Sequence, residues 1–114
     1  MSVHDWPSFL AKTDHRMAEL RRGIPGGAKG FSEVAKAAIA HNVLDPKTKE
    51  LVALGIGIAA RCDGCLAYHT KAAAKHGATR AEILEVIGVA VYMGGGPSLM
   101  YAARASAAFD EFAV

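Results

Sequence analysis

Apolar side chains recur three and four residues apart along most of the chain, a spacing typical of α-helices that present one face to a core. No stretch alternates apolar and polar residues as a β-strand would. The pattern is divided by prolines, glycines and capping residues. The sequence therefore predicts an all-α protein of about six helices, over residues 7–22, 28–41, 46–60, 63–76, 79–93 and 97–112.

Local signals set these boundaries. Asp45 followed by Pro46 is typical of a helix start, because an acceptor side chain precedes a residue that has no N–H to leave unpaired. Thr79 and Glu82 have the spacing of a capping box. Residues 24–27 and 94–96 are rich in glycine and predict a loop and a break, and Asn42 is suited to close the second helix.

The second half of the third helix is apolar on all sides, which predicts burial on every side. Two glycines interrupt it, although each costs a helix about 1 kcal/mol relative to alanine. We expect Gly55 and Gly57 to allow another backbone to come close. The alternative interpretation is that they leave room for a substrate.

Composition narrows the class of protein. The 114 residues predict a single domain, 1–114, in which 52% of residues are apolar. A small helical domain this apolar is expected to cover part of its surface by forming a homo-oligomer. A net charge of +2 does not favour nucleic acid or an anionic membrane as a partner. The N-terminal MSVHDWPSFL lacks the pattern of a signal peptide, and the uncharged run 51–60 is too short to span a bilayer, so we expect a cytoplasmic protein.

The candidate chemistry lies in ELVALGIGIAARCDGCLAYH, residues 50–69. It contains the only two cysteines, Cys62 and Cys65, with His69 four residues after the second and Glu50 twelve before the first. In a reducing compartment a C-x-x-C pair indicates redox chemistry or metal binding. Both cysteines fall at the predicted start of the fourth helix, where partial positive charge and unpaired N–H groups favour thiolate.

Whether Glu50 belongs to this site depends on a bend. In one straight helix it would lie about 18 Å from Cys62, too far for any contact. If the chain folds back at residues 61–64, Glu50 and His69 are offset by only about 6 Å along the helix axes. Glu50 would then orient His69, and His69 would activate the thiol one turn away, Cys65.

Other interpretations of the same residues remain open. The cysteines can be unrelated core residues. Zinc is a second alternative, since the two thiols, the imidazole and the carboxylate amount to four ligands, although no second paired ligand set follows. The remaining histidines lack an acidic or thiol partner at a useful spacing, and we interpret them as surface or cap residues: His4, His15, His41 and His76. We interpret three basic residues as a solvated face: Lys71, Lys75 and Arg80.

The arrangement Glu50, eleven residues, Cys62-Asp63-Gly64-Cys65, three residues, His69 resembles the AhpD-like alkylhydroperoxidase branch of the carboxymuconolactone decarboxylase family. The flanking segments TKELVALGIGIA and HTKAAAKHGATRAEILEVIGVAVYMGG are also similar, so the resemblance covers residues 44–105. One departure is Gly64, where some AhpD proteins have a histidine inside the cysteine pair.

The resemblance implies an all-α fold around a helix pair, assembled as a trimer or hexamer. It implies a thiol-dependent hydroperoxide reductase with no bound cofactor beyond a redox-active Cys62–Cys65 disulfide. By position, Cys65 matches the thiol that attacks peroxide, Cys62 the resolving thiol, and His69 with Glu50 the activating relay. The reductant implied is a dithiol such as dihydrolipoamide on a lipoyl protein. A general disulfide oxidoreductase and a zinc-binding or thiol-sensing interaction protein remain alternatives, whereas the cysteine pair argues against the lactone decarboxylase branch.

Overall fold

The computed structural model describes residues 5–114, and within that range the chain forms six α-helices and no strand. The all-α prediction is therefore confirmed. In chain order the helices are α1 (Trp6–Gly23), α2 (Pro25–Ile39), α3 (Pro46–Ala59), α4 (Asp63–Lys75), α5 (Arg80–Gly94) and α6 (Gly96–Phe112).

The predicted starts of α3 and α5 are confirmed by their capping bonds. The Asp45 side chain accepts a hydrogen bond of 2.8 Å from the Thr48 N–H. Thr79 and Glu82 form the reciprocal capping box, in which each side chain accepts from the other residue's backbone N–H. These bonds use N–H groups that the first turn of a helix leaves unpaired, so the local sequence alone fixes both boundaries.

Two predicted breaks are shorter than expected. The loop predicted at residues 24–27 is wrong, because α2 begins at Pro25 and only Ile24 separates it from α1. Proline suits the first helical position. The two glycines after it are exposed, and a Cβ added at either of them would meet no atom within 4 Å. The helix also ends at Ile39, so Asn42 does not close it. Between α5 and α6 only Gly95, with φ of 75°, lies outside a helix.

The core is built around the antiparallel pair α3 and α4, with α5 and α6 packed on one side and α1 against α4 and α6. The backbone N–H of Trp6 donates to the Glu111 carboxylate at 2.8 Å, which joins the start of α1 to the end of α6. The largest fully buried side chains come from all five of these helices: Trp6, Leu54, Ile58, Leu66, Ile83, Thr70 and Ser98. Because α2 contributes no buried residue, it lies outside this core.

The prediction that the second half of α3 is buried on every side is wrong for the single chain. Leu54 and Ile58 are fully buried, but Ile56 on the opposite side is 64% exposed, and Val52 one turn before it is 52% exposed. Here α3 and α5 form an open apolar groove of about 430 Å³, whose lining includes Val52, Ile56, Val86, Val89 and Met93. No helix within residues 5–114 combines the length and hydropathy that crossing a bilayer would need.

Among the surface histidines, one prediction is wrong. His15 does have an acidic partner, because Glu19 lies one turn along α1 and their side chains approach to 2.8 Å. His41 and His76 are exposed, and His76 caps the end of α4, as predicted. His4 lies outside the described residues.

The predicted solvated basic face is exposed, but one of its members has specific partners. Lys71, Lys75 and Arg80 are all exposed. Arg80, at the start of α5, forms an ion pair with Asp110 and donates to the Ser106 hydroxyl at 3.2 Å. It therefore connects α5 to α6 rather than serving only as solvated charge.

Acid is expected to weaken the fold at two helix starts. The Thr79 N–H and the Lys47 ammonium hold the pKa of Glu82 below its ordinary value, and the Thr48 N–H does the same for the pKa of Asp45. A carboxylate whose pKa is lower in the folded protein than in the unfolded chain stabilises the fold fully at pH values above its pKa in the unfolded chain. This stabilisation is lost as the pH falls through its pKa in the folded protein. Urea unfolding from about pH 7 to about pH 3 should show this decline, with a smaller slope in Glu82→Gln. Equal slopes in the two proteins would contradict the assignment.

Candidate active site

A sharp bend turns α4 back along α3 and creates the site. Arg61 adopts the left-handed conformation, with φ of 58°, which costs a residue other than glycine roughly 1 kcal/mol. The Arg61 N–H donates to the Ile58 carbonyl at 3.1 Å, and the Cys62 N–H donates to the Gly57 carbonyl at 3.1 Å. These bonds use carbonyls at the end of α3, so the predicted fold-back near residues 61–64 is confirmed.

The two helices are in close contact at a glycine. A Cβ added at Gly57 would lie 2.9 Å from the Cβ of Cys65, closer than real Cβ atoms approach one another. At Gly55 the corresponding distance is 3.4 Å, to Cγ1 of Val86. The prediction that a glycine here admits another backbone is therefore confirmed for Gly57, while Gly55 instead lines the apolar groove.

Gly57→Ala is expected to destabilise the protein, although alanine is the better helix former. Forcing a methyl group against Cys65 should cost about 1–3 kcal/mol, which outweighs the gain in helix propensity. The matched control is Gly88→Ala in α5, where no atom lies within 4 Å of an added Cβ and the change should stabilise by about 0.5–1 kcal/mol. Urea unfolding of both variants measures the difference. A Gly57→Ala protein as stable as wild type would show that the close approach is not required.

The cysteines lie at the start of α4 and are joined by a disulfide, with their Cα atoms 5.2 Å apart. Cys62 is the N-cap residue, and its sulfur accepts a hydrogen bond of 3.1 Å from the Cys65 N–H. Both residues are half-buried. In the reduced protein the same N–H and the positive end of α4 would stabilise a thiolate.

Glu50 and His69 meet across the hairpin. Glu50 is buried on α3, and its Oε1 lies 2.6 Å from Nδ1 of His69, whose side chain is 30% exposed. An ionised carboxylate only accepts hydrogen bonds, so Nδ1 of His69 is the donor in this contact. In a neutral imidazole with this tautomer, Nε2 keeps the lone pair of a base. The contact predicted from the bend is thus confirmed. Cys65 precedes His69 by one helical turn, which places both on the same side of α4.

Sequence reasoning missed two contacts around the site. Asp63, between the cysteines, forms an ion pair with Arg104 of α6 at 2.8 Å. Tyr68, beside His69, hydrogen-bonds to Asp14 of α1, and partial burial together with this bond raises the pKa of Tyr68 to about 12. Because both pairs join residues more than 40 positions apart, the spacing of neighbouring residues in the sequence does not predict these contacts.

The arrangement of ligand-type residues does not favour the zinc alternative. Both sulfurs are engaged in the disulfide. Across residues 5–114 no group of three or more histidine, cysteine, aspartate or glutamate side chains is arranged so that it could hold a metal ion. What the site brings together is therefore a sulfur pair and a base oriented by a carboxylate.

Comparison with known proteins identifies the fold family. The family model described as the carboxymuconolactone decarboxylase family matches residues 25–108, which include the whole candidate site. The chain belongs to the carboxymuconolactone decarboxylase family. This confirms the resemblance drawn from Glu50, the cysteine pair and His69, because the AhpD-like proteins are part of the same family.

Relatives of similar length support this membership in the carboxymuconolactone decarboxylase family. The chain is 36% identical over 106 residues to an uncharacterised protein of Cupriavidus necator, covering 93% of this chain and 94% of that one. It is 31% identical over 102 residues to uncharacterised protein 4 in the cox locus of Paracoccus denitrificans, covering 90% and 92%. A crystal structure of a carboxymuconolactone decarboxylase family protein from Legionella pneumophila, lpg0406, has a TM-score of 0.91 at 45% identity and covers 96% and 97%.

Proposed function

We propose that this carboxymuconolactone decarboxylase family protein is a thiol-dependent hydroperoxide reductase of the AhpD-like type. The observation that supports it best is the buried Glu50 bonded to His69, one turn from a cysteine that already shares a disulfide with its neighbour. A lactone decarboxylation has no use for a sulfur pair, whereas peroxide reduction requires one sulfur to be oxidised and a second to resolve it.

The oxidative half-reaction starts from the dithiol. His69 Nε2 takes the proton of Cys65, and the thiolate attacks the distal oxygen of the hydroperoxide. The O–O bond breaks, the leaving alkoxide takes the proton from the imidazolium as an alcohol, and Cys65 becomes a sulfenic acid. The Cys62 thiol then attacks this sulfenic sulfur, the disulfide forms and water leaves. Glu50 keeps the imidazole in the tautomer that these steps need.

The reductive half-reaction needs an external dithiol, for which we propose dihydrolipoamide or a lipoyl protein in a cytoplasmic setting. Its thiolate attacks Cys62, Cys65 leaves as thiolate, and a mixed disulfide forms. The second thiol of the donor resolves this intermediate and restores both cysteines. One dithiol therefore supplies the two electrons that one hydroperoxide consumes, and the protein itself binds no further cofactor.

The test is a peroxidase assay with dihydrolipoamide as the electron donor and either hydrogen peroxide or an organic hydroperoxide as substrate. We expect continuous turnover with one donor oxidised per peroxide consumed. A model disulfide replaces the peroxide in a parallel reaction. Reduction of the disulfide without consumption of peroxide would refute the peroxidase proposal and favour a general disulfide oxidoreductase, and metal analysis of the reduced protein tests zinc binding.

We propose further that the protein works as a homo-oligomer, a trimer or a hexamer. The support is the apolar groove between α3 and α5 together with the exposed apolar side chains of α2, where Phe31 and Val34 are 73% and 65% exposed. Apolar surface of this extent is typical of protein interfaces.

Ile56→Lys is expected to dissociate the oligomer, because the ammonium group would be buried without a partner in the groove. A cost of about 3 kcal/mol weakens association by roughly a hundredfold. Size-exclusion chromatography with light scattering measures the mass. Val43→Lys is the control, since Val43 is exposed in the loop before α3 and does not line the groove. A wild-type protein with the mass of one chain would contradict the proposal.

A further inference from the structure

Asp63, the first of the two residues between the cysteines, is held by a charge from another helix. Arg104 on α6 places one guanidinium nitrogen, Nη1, 3.0 Å from Oδ1 and 2.8 Å from Oδ2 of Asp63. The ring of Tyr101, one turn earlier on α6, lies beneath the guanidinium, with its centroid 4.6 Å from Cζ. Arg104 is therefore fixed between an aromatic face and the carboxylate nearest to the sulfurs in sequence.

This arrangement matters because Asp63 opposes the chemistry of its neighbours. A carboxylate in the first turn of α4 repels a thiolate that forms on Cys62 or Cys65. Arg104 offsets this repulsion by bringing a positive charge to the same end of the helix. The Asp63 and Arg104 side chains are only 24% and 32% exposed, so solvent screens the interaction incompletely.

We propose that Arg104 is a positioning residue that sets the reduction potential of the Cys62–Cys65 pair by neutralising Asp63. The inference rests on the proposed function only in requiring that the pair cycle between dithiol and disulfide. A charge that stabilises the thiolate stabilises the reduced state, and this makes the disulfide a stronger oxidant. Arg104 therefore keeps the disulfide easy for an external dithiol to reduce.

The charges predict opposite effects for the two partners. Arg104→Gln removes the guanidinium charge that lies against the Asp63 carboxylate, so the reduced state loses stability and the potential becomes more negative. Asp63→Asn leaves the guanidinium uncompensated, and the potential becomes more positive. We expect each single change to alter the equilibrium constant with a reference dithiol about threefold to tenfold, where tenfold corresponds to about 30 mV. The double variant should return close to the wild-type value.

A purely structural tether predicts something different. If the pair only anchored the start of α4 to α6, either single change would break the same link, and both would shift the potential in one direction. Arg104→Lys separates the two ideas further, because it keeps the charge but loses the planar guanidinium. Every variant leaves the other charged and titratable groups of α3, α4 and α6 unchanged, including Glu50, His69 and Tyr101, and it also leaves Arg61 at the bend unchanged.

The experiment equilibrates the full-length protein with glutathione or dithiothreitol redox buffers at pH 7 and counts free thiols. Circular dichroism checks that each variant is folded, and Arg80→Gln, which removes an arginine paired with Asp110 at a different site, is the control for charge alone. Opposite shifts for Arg104→Gln and Asp63→Asn that shrink at high salt, together with near-wild-type behaviour of Arg104→Lys, support the proposal. Shifts of equal sign, or no shift, overturn it.

This measurement uses no peroxide, so its outcome is separate from that of the peroxidase assay. A protein that consumes no peroxide can still show the opposite shifts, in which case Arg104 sets the potential of a general disulfide oxidoreductase. A protein that consumes peroxide while the potentials do not move would retain the proposed function and lose this inference.

Discussion

Replacing Cys65 with serine is expected to abolish peroxide turnover and lower kcat/KM by about 10⁴-fold or more. The hydroxyl that replaces the sulfur stays protonated next to His69, and it has no sulfenic acid or disulfide chemistry to complete the cycle. The helix start should survive, because serine is as suitable there as cysteine and Cys62 still supplies the N-cap. Peroxide consumption with dihydrolipoamide as donor is the measurement.

Cys62→Ser is the matched control, since it removes the other sulfur and leaves the attacking one. This variant should consume about one peroxide per chain in a single rapid phase and then slow, because the sulfenic acid on Cys65 has no partner thiol. A dimedone adduct on Cys65 would identify that acid by mass. Sustained turnover in Cys65→Ser, or a burst in Cys65→Ser and none in Cys62→Ser, would contradict the assignment of the two roles.

Local sequence predicted those parts of the fold that local interactions determine. The starts of α3 and α5 follow from Asp45 and from the Thr79–Glu82 capping box, each of which satisfies backbone groups within one turn. The contact between Glu50 and His69 also followed from spacing, once the chain was assumed to bend at the cysteines. With a helix rise of about 1.5 Å per residue, the position of the bend then determines which residues of α3 and α4 face each other.

The features that were missed depend on residues far apart in the chain. The ion pair of Asp63 with Arg104 joins positions 41 apart, and no periodicity within one helix indicates it. The apolar second half of α3 predicted burial on every side, yet Ile56 is exposed in the single chain. Hydropathy reports that a side chain is suited to burial, but it does not distinguish a core within one chain from an interface between chains.

The start of α2 shows a different limit of predicting helix boundaries from sequence. Pro25, Gly26 and Gly27 are typical of a turn, but proline is also favoured at the first position of a helix, and the structure adopts the second choice. A Cβ added at Gly26 or Gly27 would meet no neighbouring atom within 4 Å, so the glycines are tolerated there rather than required. Composition alone therefore placed the boundary three residues too late.

Glu50→Gln is expected to slow peroxide reduction about 10²–10⁴-fold at neutral pH while leaving the protein folded. In wild type the carboxylate accepts the Nδ1 proton of His69 at 2.6 Å, which leaves Nε2 free as the base. A glutamine amide can instead donate to Nδ1, and the proton then moves to Nε2, where it blocks removal of the Cys65 proton. Burial of residue 50 means that water does not readily replace the lost carboxylate.

A pH profile separates this role from a merely structural one. Above about pH 9 an ordinary cysteine thiol ionises without a base, so the rate of Glu50→Gln should rise towards that of wild type. A variant that was slow because its site had collapsed would not recover at any pH. Glu85→Gln, an exposed glutamate on α5, should match wild type throughout and controls for the loss of one negative charge. If Glu50→Gln shows unchanged kinetics at neutral pH, Glu50 is structural and His69 acts without it.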